Sequence, residues 1–423
     1  MMKRYLLLAI ALFAIYLSHA DTLRLMHYNL MQYSNNYSGC VSNFTAKDAA
    51  LRTIIAYIQP DIITVNEIGN TMSYPRRFLD SCLNIQGNNN WGMGDLTSAS
   101  GGSSNTLANM IFYNREKLTM HSSYYVANSV RDFNVYRLYY NQTDLSKGDT
   151  AFLVVIVGHL KSGESYAEAR GQQVNALMTR LNTIGVADNY ILCGDLNLYQ
   201  ASEVAYQTLL YHANTLIRFY DPINKYGTWH DQTDFSAYHT QSTHKYSDNC
   251  FSSGGLDDRF DFILVSESVL KGYDKVKALT NTYHAVGQDG QRFNQSVTDG
   301  TNYAVSATMA QALYNASDHL PVVMDFEVEN TLSVAEAANK IPWQVQVVNP
   351  IGHCLTLQLQ STENQSYHVE IVSMIGQVLY QKSISASIGS QTYSFNLPPL
   401  STGMYILRVY NNQGQIIKKI MKQ

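Results

Sequence analysis

At 423 residues the chain is longer than one ordinary core, and at least two domains are expected. Its 29 Lys and Arg stand against 33 Asp and Glu, a net charge of −4. That balance excludes the general basic face of a protein that grips nucleic acid by bulk charge, so any such contact is local and brief.

Lys3 and Arg4 precede an apolar run from Leu6 to Leu17, and Ser18-His19-Ala20 follows with small residues at the cleavage positions. This pattern predicts a signal peptide over residues 1–20, with the mature chain starting near Asp21. Losing Lys3 and Arg4 takes the net charge from −4 to −6. The run is too short to span a bilayer comfortably, no Cys follows it to carry a lipid, and no other segment approaches membrane-spanning length. Five cysteines are an odd number for an exported chain. Cys193 reads as a free thiol in a buried strand, and a Cys40–Cys82 bridge is left open.

Leu23 to Tyr28 reads as a strand whose tip carries Asn29. Thr45-Ala46-Lys47-Asp48 resembles a capping box opening a helix with an apolar stripe of Leu51, Ile54, Ile55 and Ile58, stopped by Gln59-Pro60. A β-branched run then ends at Glu67. The segment 98–104 is a Gly/Ser loop, and strands are expected over 107–113 and 124–127. Ala151 to Gly158 is a nearly continuous Val/Ile run expected to be buried on both faces, ending at His159. Helical spacing marks 165–184, a short strand 191–194, and a helix 206–216. Residues 219–255 show no clear period and carry His230, His239 and His244, whose spacing matches no tight metal-ligand pattern; substrate contact or plain surface is expected of them. Aromatic residues of that loop, Tyr226, Trp229, Phe235 and Tyr238, are candidates to stack bases. Strands 260–265 and 322–328 close the series. Strands and helices mixed in this way fit an α+β domain, a two-sheet β-sandwich flanked by helices, over residues 21–329.

Residues 330–343 shift in composition and read as a linker. Beyond them Val345, Val347, Leu355, Leu357 and Leu359 alternate, as do the runs at 369–372, 377–380 and 405–409, punctuated by Gly376, Gly389 and Gly403. Residues 344–423 are therefore a small all-β C-terminal domain. Asn349-Pro350, Gly376-Gln377-Val378, the run from Leu400 to Val409 and Lys418-Lys419 resemble the C-terminal sorting domain of the type IX secretion system of Bacteroidetes. The resemblance implies passage through the periplasm and outer membrane by a partner secretion machinery, then release or cell-surface attachment. A carbohydrate-binding or adhesive β-sandwich would share the strand pattern.

Chemistry concentrates where apolar strands end. Glu67, His159, Gly194-Asp195-Leu196-Asn197 and Ser317-Asp318-His319 all sit at such ends. Acids, imidazoles and an amide placed so are a kit for metal-assisted attack on a phosphate ester. With Asn29 and Arg259-Phe260-Asp261-Phe262-Ile263 they stand in the order of the endonuclease/exonuclease/phosphatase (DNase I-like) superfamily, which the region from about 21 to 328 resembles, in the form of a secreted bacterial member.

The resemblance implies a secreted, metal-dependent phosphodiesterase. His319 would be the general base, paired with Asp261. Glu67, with Asn29 and Asp318, would hold Mg²⁺, with Ca²⁺ or Mn²⁺ as alternatives. Asp195 and Asn197 would orient water and phosphate from one strand face. His159 would donate to a non-bridging oxygen or protonate the leaving group, and Lys161 would add charge at the phosphate. The departure from the DNase I pattern is at residues 106–111, which offer no acid to support His159. The expected function is an extracellular nuclease, too acidic for processive binding and acting as a monomer on DNA or RNA as an endonuclease. A phosphatase or sphingomyelinase-like phosphoesterase is the alternative. A non-enzymatic surface-binding module would be expected to have lost Glu67, Asp195 or His319, and has not.

Overall fold

A computed structural model describes residues 19–34, 44–96, 107–128, 130–141, 150–247, 250–330, 343–373, 377–411 and 414–422. Apart from their edges, the expected signal peptide, the 98–104 loop and the 330–343 linker lie outside the described residues, as does Cys40. The chain divides between residues 332 and 333 into two compact units.

In the larger unit the chain runs β1 (His19–Tyr33), α1 (Phe44–Ile58), β2 (Ile62–Gly69), α2 (Ser73–Phe78), β3 (Trp91–Met93), β4 (Leu107–Asn114), β5 (Leu118–Val126) and β6 (Phe133–Tyr140). It continues with β7 (Phe152–His159), α3 (Ala167–Ile184), β8 (Tyr190–Asp195), α4 (Val204–Tyr211), β9 (Phe219–Tyr220), β10 (Asp261–Ser266), α5 (Glu267–Lys271), β11 (Val276–Ala285), α6 (Ala307–Ala316) and β12 (Val322–Asn330). These strands form two six-stranded mixed sheets, ordered β11-β12-β1-β2-β4-β3 and β5-β6-β7-β8-β10-β9. The fold is α+β, as the sequence indicates.

Burial explains the pattern of β7 and β8. Val155, Val157, Ile191 and Cys193 join a core shared with β1, β2 and β4. Their alternates Val154, Ile156, Tyr190 and Leu192 join a second core with Val174, Leu177 and Leu181 of α3 and Leu209 of α4. With both faces covered, neither strand can show an apolar–polar alternation.

Strand direction gathers the site. β1 pairs in parallel with β2, and β7 with β8, so each pair brings two C-terminal ends together: Asn29 opposite Asn66, and His159 opposite Asp195. β10 and β12 run antiparallel to β8 and β1, which places their N-terminal ends at the same mouth, Asp261 opposite Asp195 and Val322 opposite His27.

Four local expectations differ. β1 spans His19–Tyr33 and so extends beyond both ends of the strand expected over 23–28. Helix α1 begins at Phe44, so Thr45 lies inside it and caps nothing. The expected 206–216 helix ends at Tyr211, followed by a 3₁₀ turn over 215–217. Cys82 keeps a free buried thiol, so the Cys40–Cys82 bridge is not made; Cys193 is also free, and Cys250 is disulfide-bonded.

The smaller unit is all β: β13 (Gln344–Val347), β14 (Cys354–Ser361), β15 (Gln365–Ser373), β16 (Val378–Ala386), β17 (Gly389–Asn396), β18 (Gly403–Asn411) and β19 (Gly414–Lys422). They form sheets ordered β13-β14-β17 and β16-β15-β18-β19 around Trp343, Leu357, Tyr367, Ile371 and Leu407.

Candidate active site

Seven of the residues singled out by sequence meet at the strand mouth. Asn29 is the hub: its Nδ2 lies 3.3 Å from Glu67 Oε1, 3.0 Å from Asp195 Oδ2 and 3.4 Å from His319 Nε2. His159 Nε2 approaches Asp195 Oδ2 at 3.4 Å and Glu67 Oε1 at 3.9 Å. His319 Nδ1 faces Asp261 Oδ2 at 2.7 Å, which leaves Nε2 turned into the cluster, 3.7 Å from Asp195 Oδ2 and 4.0 Å from Asp318 Oδ1. All but Glu67 are buried.

Three residues are placed otherwise than their expected roles suppose. The Asn29 oxygen accepts from Met31 N–H at 2.9 Å, so the amide nitrogen is what faces the acids. An amide nitrogen does not ligate Mg²⁺, and Asn29 acts here as a donor that braces Glu67 and Asp195. Asn197 does not share a strand face with Asp195, because β8 ends at Asp195 and Asn197 turns left-handed at φ 48°. Its backbone N–H is held by Asp195 Oδ1 at 3.1 Å and its side chain donates to Leu160 O at 3.3 Å. Lys161 rests its ammonium 4.2 Å over the Tyr166 ring, and reaches the site through its charge on His159.

The electrostatics separate the two imidazoles. Burial works against the His319 imidazolium, but the charges of Asp261 and Asp195, the hydrogen bond to Asp261 and the charge of Asp318 outweigh it and carry its pKa well above 6.5. His159 is pushed well below 6.5, first by burial and then by the positive charges of Arg131, His319, His27 and Lys161. It is therefore neutral near pH 7 and suited to donating a hydrogen bond rather than a proton. Asp195 is raised to about 7, mainly by burial, with Asp261 and Glu67 adding to the rise against the opposing charge of His319.

Several members were not legible in the sequence. His27, wholly buried on β1, places Nε2 3.7 Å from Asp261 Oδ1, behind the Asp261–His319 pair. Gln241 brings its side-chain amide 2.8 Å from His319 Nε2 and 3.5 Å from Asp318 Oδ2. Asn109, within the stretch that lacks an acid, accepts from Asn66 at 2.8 Å, and Asn66 accepts from the Asp195 N–H at 2.8 Å. Lys47 is buried in the first turn of α1 and donates to Met31 O at 2.6 Å. Burial lowers its pKa to about 8 against the pull of Asp318, Glu67 and Asp48. Lys47, Asn109 and Gln241 lie outside the strand-end motifs, and His27 and Asn66 lie inside strands one or two residues short of the polar tips.

The donor set suits a hard divalent cation. Glu67, Asp195 and Asp318 offer carboxylate oxygens around one mouth, and among the described residues Asp318 Oδ1 is buried without a hydrogen-bond partner. An orphaned carboxylate oxygen among other acids is costly without a cation to neutralise it.

The loop histidines correct two expectations. His239 and His244 are buried rather than surface groups, His239 Nε2 against Trp229 O at 2.8 Å and His244 stacked on Phe251 at 4.1 Å. Trp229 is wholly buried, so it cannot stack a base. His230 pairs with Asp258 at 2.8 Å and, with Asp257, forms a group whose potential ligand atoms lie within 4.8 Å of one another.

Residues 349–423 match the family model described as the secretion system C-terminal sorting domain, which indicates secretion. No curated protein matches the sequence. Among solved structures, the chain is similar to the human nocturnin catalytic domain with bound sulfate anion, at 15% identity over 73% of this chain and 97% of that one, TM-score 0.44. It is similar to an endonuclease/exonuclease/phosphatase from Bacteroides vulgatus, at 15% identity over 73% of this chain and 100% of that one, TM-score 0.45. It is also similar to a mannosyl-6-phosphatase from Bacteroides thetaiotaomicron, at 13% identity over 72% and 99%, TM-score 0.44. Among the described residues no helix is long and apolar enough to cross a membrane.

Proposed function

We propose that the larger unit is a divalent-metal-dependent phosphoesterase, and within that class an extracellular nuclease that cuts DNA or RNA internally. The observation that carries this reading is the buried Asp261–His319 pair at 2.7 Å, whose free imidazole edge opens onto Asn29, Asp195 and Asp318.

Hydrolysis of a phosphodiester requires a base for water, donors for the phosphate oxygens and relief of the developing negative charge. Asp261 fixes the His319 ring so that Nε2 faces the mouth, where it takes the proton of the attacking water. Neutral His159 and the Asn29 amide are the hydrogen-bond donors nearest the acids, and serve the phosphate oxygens. Glu67 and Asp318 would hold Mg²⁺, which when bound supplies Lewis-acid stabilisation of phosphoryl charge. Lys161 and Arg131, whose charges are felt at His159, add positive potential near that imidazole.

The test is supercoiled plasmid with the purified mature chain and Mg²⁺, with EDTA and His319→Ala as controls. Nicking that requires both the cation and His319 is expected. Full nicking by His319→Ala would remove His319 as the base. Absence of cleavage of plasmid and RNA alike, with turnover of small phosphate esters, would establish the phosphatase reading instead.

A further inference from the structure

Glu67 is not oriented by an ordinary strand. Its backbone is left-handed at φ 59°, in an irregular stretch of β2 between Val65 and Ile68. Two hydrogen bonds aim its carboxylate instead. Asn29 Nδ2 reaches Oε1 at 3.3 Å, and the Gln32 backbone N–H reaches Oε2 at 3.0 Å.

That second donor is itself unusual. Met31 and Gln32 are both left-handed, at φ 40° and 52°, a conformation that costs a non-glycine residue of order 1 kcal/mol and persists only when its surroundings enforce it. The turn points the N–H of the peptide joining them at Glu67. In a trans peptide the carbonyl of the same unit points the other way. On that carbonyl, Met31 O, sits the Lys47 ammonium at 2.6 Å.

Lys47 is held there by its neighbour. Asp48 accepts from Tyr33 Oη at 2.6 Å and from Arg77 at 2.5 Å, which ties the first turn of α1 to the end of β1 and to α2. Among the described residues no carboxylate lies within 4 Å of Lys47 Nζ, and Met31 O is its hydrogen-bond acceptor. A buried ammonium spent on one peptide carbonyl is costly unless that bond has a use.

We propose that Lys47 is a positioning residue for the Glu67 carboxylate, acting through the Met31–Gln32 peptide. The cation clamps the carbonyl, fixes the left-handed turn and polarises the N–H that grips Oε2, since hydrogen bonds in series strengthen one another. The inference rests on the reading of Glu67 as a cation ligand. Groups that orient a ligand in this way are worth as much to a metal site as some ligands are.

Mn²⁺ affinity of the full mature chain, read from the loss of the free-ion EPR signal, tests it without recourse to activity. Lys47→Met should weaken Mn²⁺ binding about tenfold, the scale expected for loss of a group supporting a ligand. Lys47→Arg, which keeps a cationic donor, should stay close to wild type. A lysine acting only by its charge repels the incoming cation, so its removal would tighten binding. Unchanged or tighter binding by Lys47→Met therefore overturns the proposal. Should that variant fail to fold by circular dichroism, Lys47→Gln is read by the same criterion, with the same weakening expected. Glu67→Gln separates the two claims: if it binds Mn²⁺ like wild type, Glu67 is not a ligand, whatever Lys47 does.

Discussion

His27 gives a quantitative test of how the site is supported from behind. It is wholly buried on β1, with Nδ1 3.0 Å from Thr64 Oγ1 and Nε2 facing Asp261 Oδ1 at 3.7 Å. Burial pushes its pKa down to about 4, only partly opposed by the charge of Asp261. A histidine depressed in this way stays neutral in the folded chain while the unfolded chain takes up a proton below about 6.5. Its contribution to stability is therefore complete above the unfolded value and falls as pH drops towards the folded one. A shift from 6.5 to about 4, at about 1.4 kcal/mol per unit, is a loss of about 3 kcal/mol once both values are passed. Between about pH 7 and pH 4.5 most of it, about 2 kcal/mol, is spent. His27→Gln removes the titration while keeping a polar side chain on Thr64. Urea unfolding of the mature chain at the two pH values, followed by circular dichroism on the transition of the larger unit, measures the difference. The variant should lose about 2 kcal/mol less than wild type on acidification. Raised carboxylates such as Asp195 change stability in the opposite direction, but they are common to both proteins and cancel in the comparison. Equal acid sensitivity of the two proteins would refute the assignment of a neutral, buried His27.

Asp221 forms a bidentate pair with Arg259 at 2.8 and 2.9 Å, both side chains almost fully buried. Asp221→Asn should leave the guanidinium uncompensated two residues before Asp261 and cost about 3 to 5 kcal/mol in urea unfolding. Because Asp261 and Asp195 raise His319, the acid limb of the pH–rate profile should lie above 6.5, with activity rising as pH increases through it. Asp261→Asn should move that limb to lower pH and reduce kcat about a hundredfold, as seen in steady-state kinetics across pH. Deleting residues 344–423 should leave catalysis by the larger unit intact while the protein accumulates in the periplasm; normal release on cell fractionation would refute the sorting role of the match at 349–423.

The strand ends were legible because parallel strands buried on both faces leave long apolar runs, and the first polar residue beyond such a run lies at the rim. That logic found His159 and Asp195 without any knowledge of pairing, and reached Glu67 one residue past the buried Asn66. It failed where two faces of one strand carry different kinds of side chain. In β6, Phe133 and Val135 enter one core while Tyr136, Leu138 and Tyr140 enter the other, and Asn134 is buried beside Asn109. Read as letters, Phe-Asn-Val-Tyr-Arg-Leu-Tyr-Tyr shows no clean period, and the strand was missed. Strand β11 and helix α6 were missed as well.

The capping-box expectation failed for a reason that bears on the site. Thr45 and Asp48 have the spacing of a local cap, yet local hydrogen bonds were outcompeted by tertiary ones. Phe44 already lies within the helix, its ring 5.1 Å edge-on to Tyr33. Asp48, free of any capping duty, is buried and bonded to Tyr33 and Arg77. The residue between, Lys47, is thereby turned inward to the strained end of β1. A motif can report which residues will act near a strand end, but the groups that aim them act through backbone peptides whose direction depends on left-handed turns at Met31, Gln32 and Glu67. No side-chain pattern encodes those turns, since each is a non-glycine residue held against its own preference by partners 16 to 38 positions away. Sequence pattern therefore reaches Asn29, the acids and the two imidazoles of this mouth, and stops short of Lys47, His27 and the amides of Asn66, Asn109 and Gln241 behind them.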